Sequence, residues 1–330
     1  MRTLLQIARH FSLPLCLTLL SGCATPPDPS SPEFKANWGL SAVNAEPAFR
    51  AGATGRGVTI GLIDCGAENS GRDVQRNLSR KSIDLLPDRA LPQPERHATW
   101  VAGPMDAALD GTGLMGVAFN AKLLSIRADF DGGYEGQCAF YARDIARGID
   151  YARENGARIL VMPLVTRKPM GPVLESALQR AIDANIAVVI AAGNDGKAQP
   201  AWPGRYAADP RYAGGIIVVG ASRRDGTLVP WSNQAGEAGK YFVAAPGEGI
   251  LTDCSKKLCT RVSGTSFSTS FVAGALALVM EGRPNLPARD AINIVLQSAR
   301  PLPLPDDIAG RGILDIGEAF AELSKKQNPA

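Results

Sequence analysis

An α/β architecture, a doubly wound parallel sheet with helices on both faces, is predicted by three features of this 330-residue sequence. Short apolar runs rich in β-branched residues recur at 57–64 (GVTIGLID), 121–128, 158–164, 187–193, 215–222 and 241–247, as buried parallel strands would. Helical patterns lie between or beyond them, at 139–155, 173–184, 266–282, 287–299 and 315–323. The unbroken apolar run 271–280 is too short to span a bilayer and, being apolar all round, reads as a fully buried helix. Strands alternating with helices imply a parallel sheet, and ligands then sit at the carboxyl ends of its strands. With 45% hydrophobic residues and no internal break, residues 37–325 read as one domain and 326–330 as a tail.

At the N-terminus, Arg2 and Arg9 precede a mostly apolar stretch that ends in Ser21-Gly22-Cys23, the pattern of an export signal. Leu20-Ser21-Gly22-Cys23 resembles the bacterial lipoprotein signal. That resemblance implies removal of residues 1–22, palmitate on Cys23, a membrane anchor and, with Ala24 rather than aspartate following, the outer membrane. An ordinary secretory signal is the alternative. Residues 24–35 are rich in Pro and Ser and complete a tether over 23–36, reaching roughly 40 Å when extended. Removing Arg2 and Arg9 from 35 basic residues leaves 33 against 32 acidic ones, a charge of +1 that gives no case for a nucleic-acid partner.

In an oxidising compartment Cys254 and Cys259, which flank four residues, are expected to close a small loop as a disulfide. Cys65 and Cys138 are left either paired or as free buried thiols. Zinc is not expected, because the mature chain has no CxxC and a single histidine.

Candidate chemistry begins at Gly264-Thr265-Ser266, directly before the buried helix. A helix N-terminus offers unpaired N–H groups to an oxyanion formed beside Ser266. With His10 lost in the signal, the only imidazole that can serve Ser266 as a base is His97. Asp64 ends the first predicted strand and Asn194 follows the fourth, so both stand where ligands bind.

The order Asp, His, Asn, Ser and the residues around it resemble the subtilisin-like serine peptidases. Asp64-Cys65-Gly66 is similar to the family's Asp-Thr/Ser-Gly, His97-Ala98-Thr99-Trp100-Val101-Ala102-Gly103 to its histidine helix, and Gly264-Thr265-Ser266 to its nucleophile block. Ala191-Ala192-Gly193-Asn194 matches the oxyanion segment. Trp202-Pro203-Gly204-Arg205-Tyr206 and Ala245-Pro246-Gly247 look like structural blocks of the family. The resemblance implies a serine endopeptidase acting on protein or peptide through an acyl-enzyme, with Asp64, His97 and Ser266 catalytic and Asn194 on the oxyanion. It places substrate contacts at Gly133, Gly136, Met162, Pro163, Leu164, Val165, Ala191, Ala192 and Gly193.

Several positions depart from the pattern. Trp100 replaces a second histidine, Ser270 a proline, and Phe271 a residue that is often histidine. Pro163 and Val165 alter the strand that pairs with substrate, which touches side-chain preference more than cleavage. The chemistry requires no cofactor, although Asp73 and Asp110 match a calcium loop of the family, against the plain alternative of a glycine-bent surface turn. The short stretch between Cys23 and the first strand leads us to expect a body that folds without a cleaved prosegment. A catalytically inactive surface binding protein of this fold and a triad esterase are the competing readings; the absence of Gly-x-Ser-x-Gly counts against the usual esterase fold.

Overall fold

The computed structural model describes residues 26–67, 72–86, 96–130, 138–255 and 258–325. In chain order the elements are α1 (Pro32–Ala36), α2 (Gly39–Ala42), α3 (Glu46–Arg50), β1 (Thr59–Asp64), α4 (Arg72–Gln75), β2 (Ile83–Asp84), α5 (His97–Asp106), β3 (Lys122–Arg127), α6 (Ala142–Glu154), β4 (Ile159–Met162), α7 (Pro172–Asp183), β5 (Ala187–Ala191), β6 (Ile216–Ser222), β7 (Phe242–Pro246), β8 (Ile250–Ser255), β9 (Leu258–Val262), α8 (Thr265–Gly282), α9 (Ala288–Gln297), α10 (Asp306–Ala309) and α11 (Ile316–Lys325).

Seven strands form one sheet in the order β2-β3-β1-β4-β5-β6-β7, and every pairing in it is parallel. The strands are apolar because both faces are covered: β4, β5, β6 and β7 are buried at every position. One core joins α5, α8, α9 and α11 to one face of the sheet, and a second joins α6 and α7 to the other. The chain leaves β1 toward β3 on one side and later returns to β4 on the other, so the sheet order reverses at the carboxyl end of β1. Asp64 is the last residue of that strand, at the crevice where such sheets bind ligands.

Two departures from the sequence reading concern its margins. The Pro- and Ser-rich stretch does not run free to residue 36: Ser31 caps α1, and Phe34 is 3% exposed against Phe49 and the core. One aromatic side chain in that helix is enough to bind it to the body, so the tether can extend only to about residue 30. The β8–β9 hairpin, antiparallel and outside the main sheet, was not expected from sequence. It is closed near its tip by the expected Cys254–Cys259 disulfide. Cys65 and Cys138 are also paired. The signal segment, Cys23 and the tail 326–330 lie outside the described residues, and no helix among those described is long and apolar enough to cross a membrane.

Candidate active site

Three elements bring the predicted residues together. β1 delivers Asp64, which is 2% exposed; α5 opens with His97; α8 opens with Thr265 and Ser266. α8 packs closely because small residues on it face its neighbours. A Cβ on Gly274 would fall 2.5 Å from that of Val117, and Ser270, where a proline was the expected residue, donates to the Val101 carbonyl at 2.6 Å. Phe271 fills the space beside Gly39, which has no room for a side chain.

His97 Nδ1 stands 2.7 Å from Asp64 Oδ2. A carboxylate only accepts, so Nδ1 carries the proton and the neutral ring presents its lone pair on Nε2. The other Asp64 oxygen accepts the Cys65 N–H at 2.7 Å, which fixes the carboxylate plane. Ser266 Oγ donates to the Pro163 carbonyl at 2.9 Å, so its proton rests on the strand that flanks the cleft rather than on the imidazole. A turn about its Cα–Cβ bond redirects it.

Asn194 is oriented by Thr265. Its Oδ1 accepts from both the backbone N–H and the hydroxyl of Thr265, each at 2.9 Å, which assigns the amide and leaves Nδ2 as the outward donor. The same hydroxyl accepts the Gly193 N–H at 3.1 Å. Thr265, fully buried, thus joins the Asn194 loop to the start of α8. The Ser266 N–H, in the first turn of α8, belongs to the donors a helix leaves unpaired.

Asp64, His97, Ser266 and Asn194 all line one cleft of about 380 Å³. Pro163, Leu164 and Val165 form one side of it, with Val165 42% exposed. Met162, Ala191 and Ala192 do not reach it: they are fully buried, because they belong to β4 and β5 or directly follow them and point into the core. Gly193 stands behind Asn194, bonded to Thr265. Gly133 and Gly136 lie outside the described residues. Ser263 and Gly264 also line it, as do Trp100, Cys138, Phe140 and Phe267, which were not singled out from sequence as cleft residues. Trp100 and Phe267 were within reach, since each lies within three residues of a predicted catalytic position and on a helix.

Asp64, Cys65 and His97 bring potential metal-ligand atoms within 4.8 Å of one another, but the Cys65 sulfur is bound in its disulfide and is no thiolate. Asp73, Asp110 and the nearby Glu33 form no such group. Asp73 accepts from the Cys254 N–H at 3.0 Å and from the Leu114 N–H; Glu33 accepts from the Asp110 and Gly111 N–H groups at 2.9 and 3.0 Å; Asp110 accepts from Thr112. These carboxylates close the loop on its own donors. Burial raises Asp73 to about 7, with the neighbouring Asp110 and Asp253 charges adding to the shift.

The family model of the subtilases matches residues 55–314. The chain belongs to the subtilase family. Among curated relatives, this subtilase is 30% identical over 249 residues to Subtilisin BL of Lederbergia lenta, covering 75% of the chain and 85% of that protein. It is 29% identical over 282 residues to the Thermostable alkaline protease of Halalkalibacterium halodurans, covering 86% and 73%. An Alkaline protease of Alkalihalobacillus alcalophilus is 30% identical over 249 residues, and the match spans 60% of its length. Among solved structures, a protease from Pseudoalteromonas arctica superposes with a TM-score of 0.74 at 25% identity, over 91% of this chain and all of that one. Membership of this peptidase family supports a hydrolase acting on protein or peptide.

Proposed function

We propose that this subtilase is a serine endopeptidase in which Ser266 is the nucleophile, His97 the general base and acid, and Asp64 the partner that holds the imidazole. The observation that carries the reading is the 2.7 Å contact of His97 Nδ1 with Asp64 Oδ2 in the cleft that Ser266 also lines. Ser266 Oγ attacks the scissile carbonyl as its proton passes to Nε2 of His97, and the developing imidazolium is stabilised by the buried Asp64 carboxylate. The oxyanion is held by Asn194 Nδ2 and the Ser266 N–H, donors fixed in place before the substrate arrives. His97 then gives its proton to the leaving amine, and an acyl-enzyme remains on Ser266. Water, deprotonated by the same imidazole, attacks the ester and frees the second product.

The extended segment Pro163-Leu164-Val165 offers carbonyls to a substrate strand, and Trp100, Phe140 and Phe267 give the cleft apolar walls. We further propose that the protein is exported and held on a membrane by lipid on Cys23, with no nucleic-acid partner. Ser266→Ala tests the peptidase reading: casein digestion is expected to fall by about a millionfold, a magnitude taken from the nucleophile of subtilisin itself. Undiminished digestion would assign the nucleophile elsewhere.

A further inference from the structure

The turn that carries Asp64 is covalently joined to the wall of the cleft. Cys65 follows Asp64 directly, and its sulfur lies 3.0 Å from the Asp64 oxygen that its own N–H also contacts. Its disulfide partner, Cys138, is 73 residues away in sequence and lines the cleft with Phe140. The base of the Cys138 segment has a separate anchor. Phe130 N–H donates to the Ala139 carbonyl at 3.0 Å, Asp129 bridges to Phe140, and Asp129 holds Arg127 at 2.9 Å. That anchor fixes where the segment leaves the sheet, and the disulfide fixes how closely its end approaches Asp64.

We propose that Cys65 and Cys138 are positioning residues for catalysis, so that turnover depends on their being oxidised. The inference rests on the serine-peptidase reading above. A small dithiol would break the S–S bond, leave a thiol on each cysteine and become oxidised to its own disulfide. Two effects follow. The wall at Cys138 and Phe140 loses its link to the catalytic turn, which weakens the grip on an extended substrate. The Cys65 sulfur also gains a proton beside Asp64 Oδ1. An S–H donated to that carboxylate dilutes the charge that favours protonated His97, so the acid limb of kcat/KM moves to lower pH. Among the described residues, the other charged groups nearby are Arg127, whose Cα pairs with that of Asp64 and which is held by Asp129 and Asp84, and Arg96, which precedes His97 and is paired with Asp253.

The test uses the full chain carrying Cys254→Ser and Cys259→Ser, so that one disulfide remains. Rates on an extended peptide amide and a short acyl ester are measured in the oxidised, dithiothreitol-reduced and reoxidised forms, alongside Cys138→Ser and Cys65→Ala/Cys138→Ala. Reduction, reversibly on reoxidation, and Cys138→Ser, permanently, are expected to lower kcat/KM for the peptide by about tenfold and to move the acid limb down. The double alanine variant is expected to raise KM for the peptide and to leave the limb in place, since it has no S–H. Equal rates and equal limbs in the oxidised and reduced forms would overturn the proposal. So would a loss of rate that merely follows loss of the near-ultraviolet circular dichroism, because the bond would then be structural only. The reduced parent carries this test even where a variant does not fold. An oxidised parent that cleaves neither substrate would instead overturn the peptidase reading and this inference with it.

Discussion

Asn194 can serve an oxyanion only if its amide faces the cleft, and Thr265 decides that. Replacing Asn194 by alanine is expected to lower kcat by about 10² to 10³, the cost measured for the corresponding donor in subtilisin itself, with little change in KM. Thr265→Val keeps the shape and removes a hydroxyl that serves both Gly193 and Asn194. We expect it to lose about 1–3 kcal/mol in urea denaturation and to lower kcat as well, because the Gly193 N–H is left unpaired and Asn194 is freed to turn. A variant with unchanged kcat would show that Thr265 does not orient the amide. Asp64, His97, Ser266 and Asn194, which the structure brings to one cleft, could be picked out from the sequence because each sits in a short distinctive block. The bridging role of Thr265, the rest position of the Ser266 proton and the Cys65–Cys138 pairing could not. Each depends on segments at least 70 residues apart meeting in space, and no local pattern records such a meeting.

At the scale of elements, α8 reaches its place only because Gly274 leaves room for Val117. Gly274→Ala is expected to cost about 1–3 kcal/mol through overpacking, read as a lower urea midpoint, despite the better helix propensity of alanine. The loop 108–114 makes a different prediction. Asp73 has a folded-state value of about 7, above its ordinary 3.8, so the stability linked to it is fully present below 3.8 and lost as pH rises through about 7. The thermal midpoint of the parent should therefore fall relative to Asp73→Asn as pH rises from 3.8 to about 7, and level off above that. Because the loop is closed by N–H donors, chelator and millimolar calcium are expected to give the same midpoint; a calcium-dependent rise in the parent that Asp110→Ala abolishes would contradict this. The long strands and helices could be read from sequence because their burial imposes unbroken apolar runs. The two-residue β2, the three short N-terminal helices and the β8–β9 hairpin could not: β9 is half exposed and carries no apolar period, and α1–α3 have four or five residues each.

For the whole molecule, the reversal of strand order beside β1 explains why residues drawn from β1, α5, the loop after β5 and the start of α8 converge on one crevice. The sheet and its two apolar cores make that crevice rigid, so the site is built before substrate arrives and the loss of one oxygen from it should leave the fold intact. Ser266→Ala is accordingly expected to keep its thermal midpoint within a few degrees of the parent. The central claim is that Ser266 is made nucleophilic by His97 and Asp64, and a labelled fluorophosphonate read by peptide mass spectrometry tests it most directly. The account predicts a single adduct, on Ser266, formed by the folded parent and lost in Ser266→Ala and His97→Ala. A folded parent that takes no label, or takes it at another serine, would contradict it.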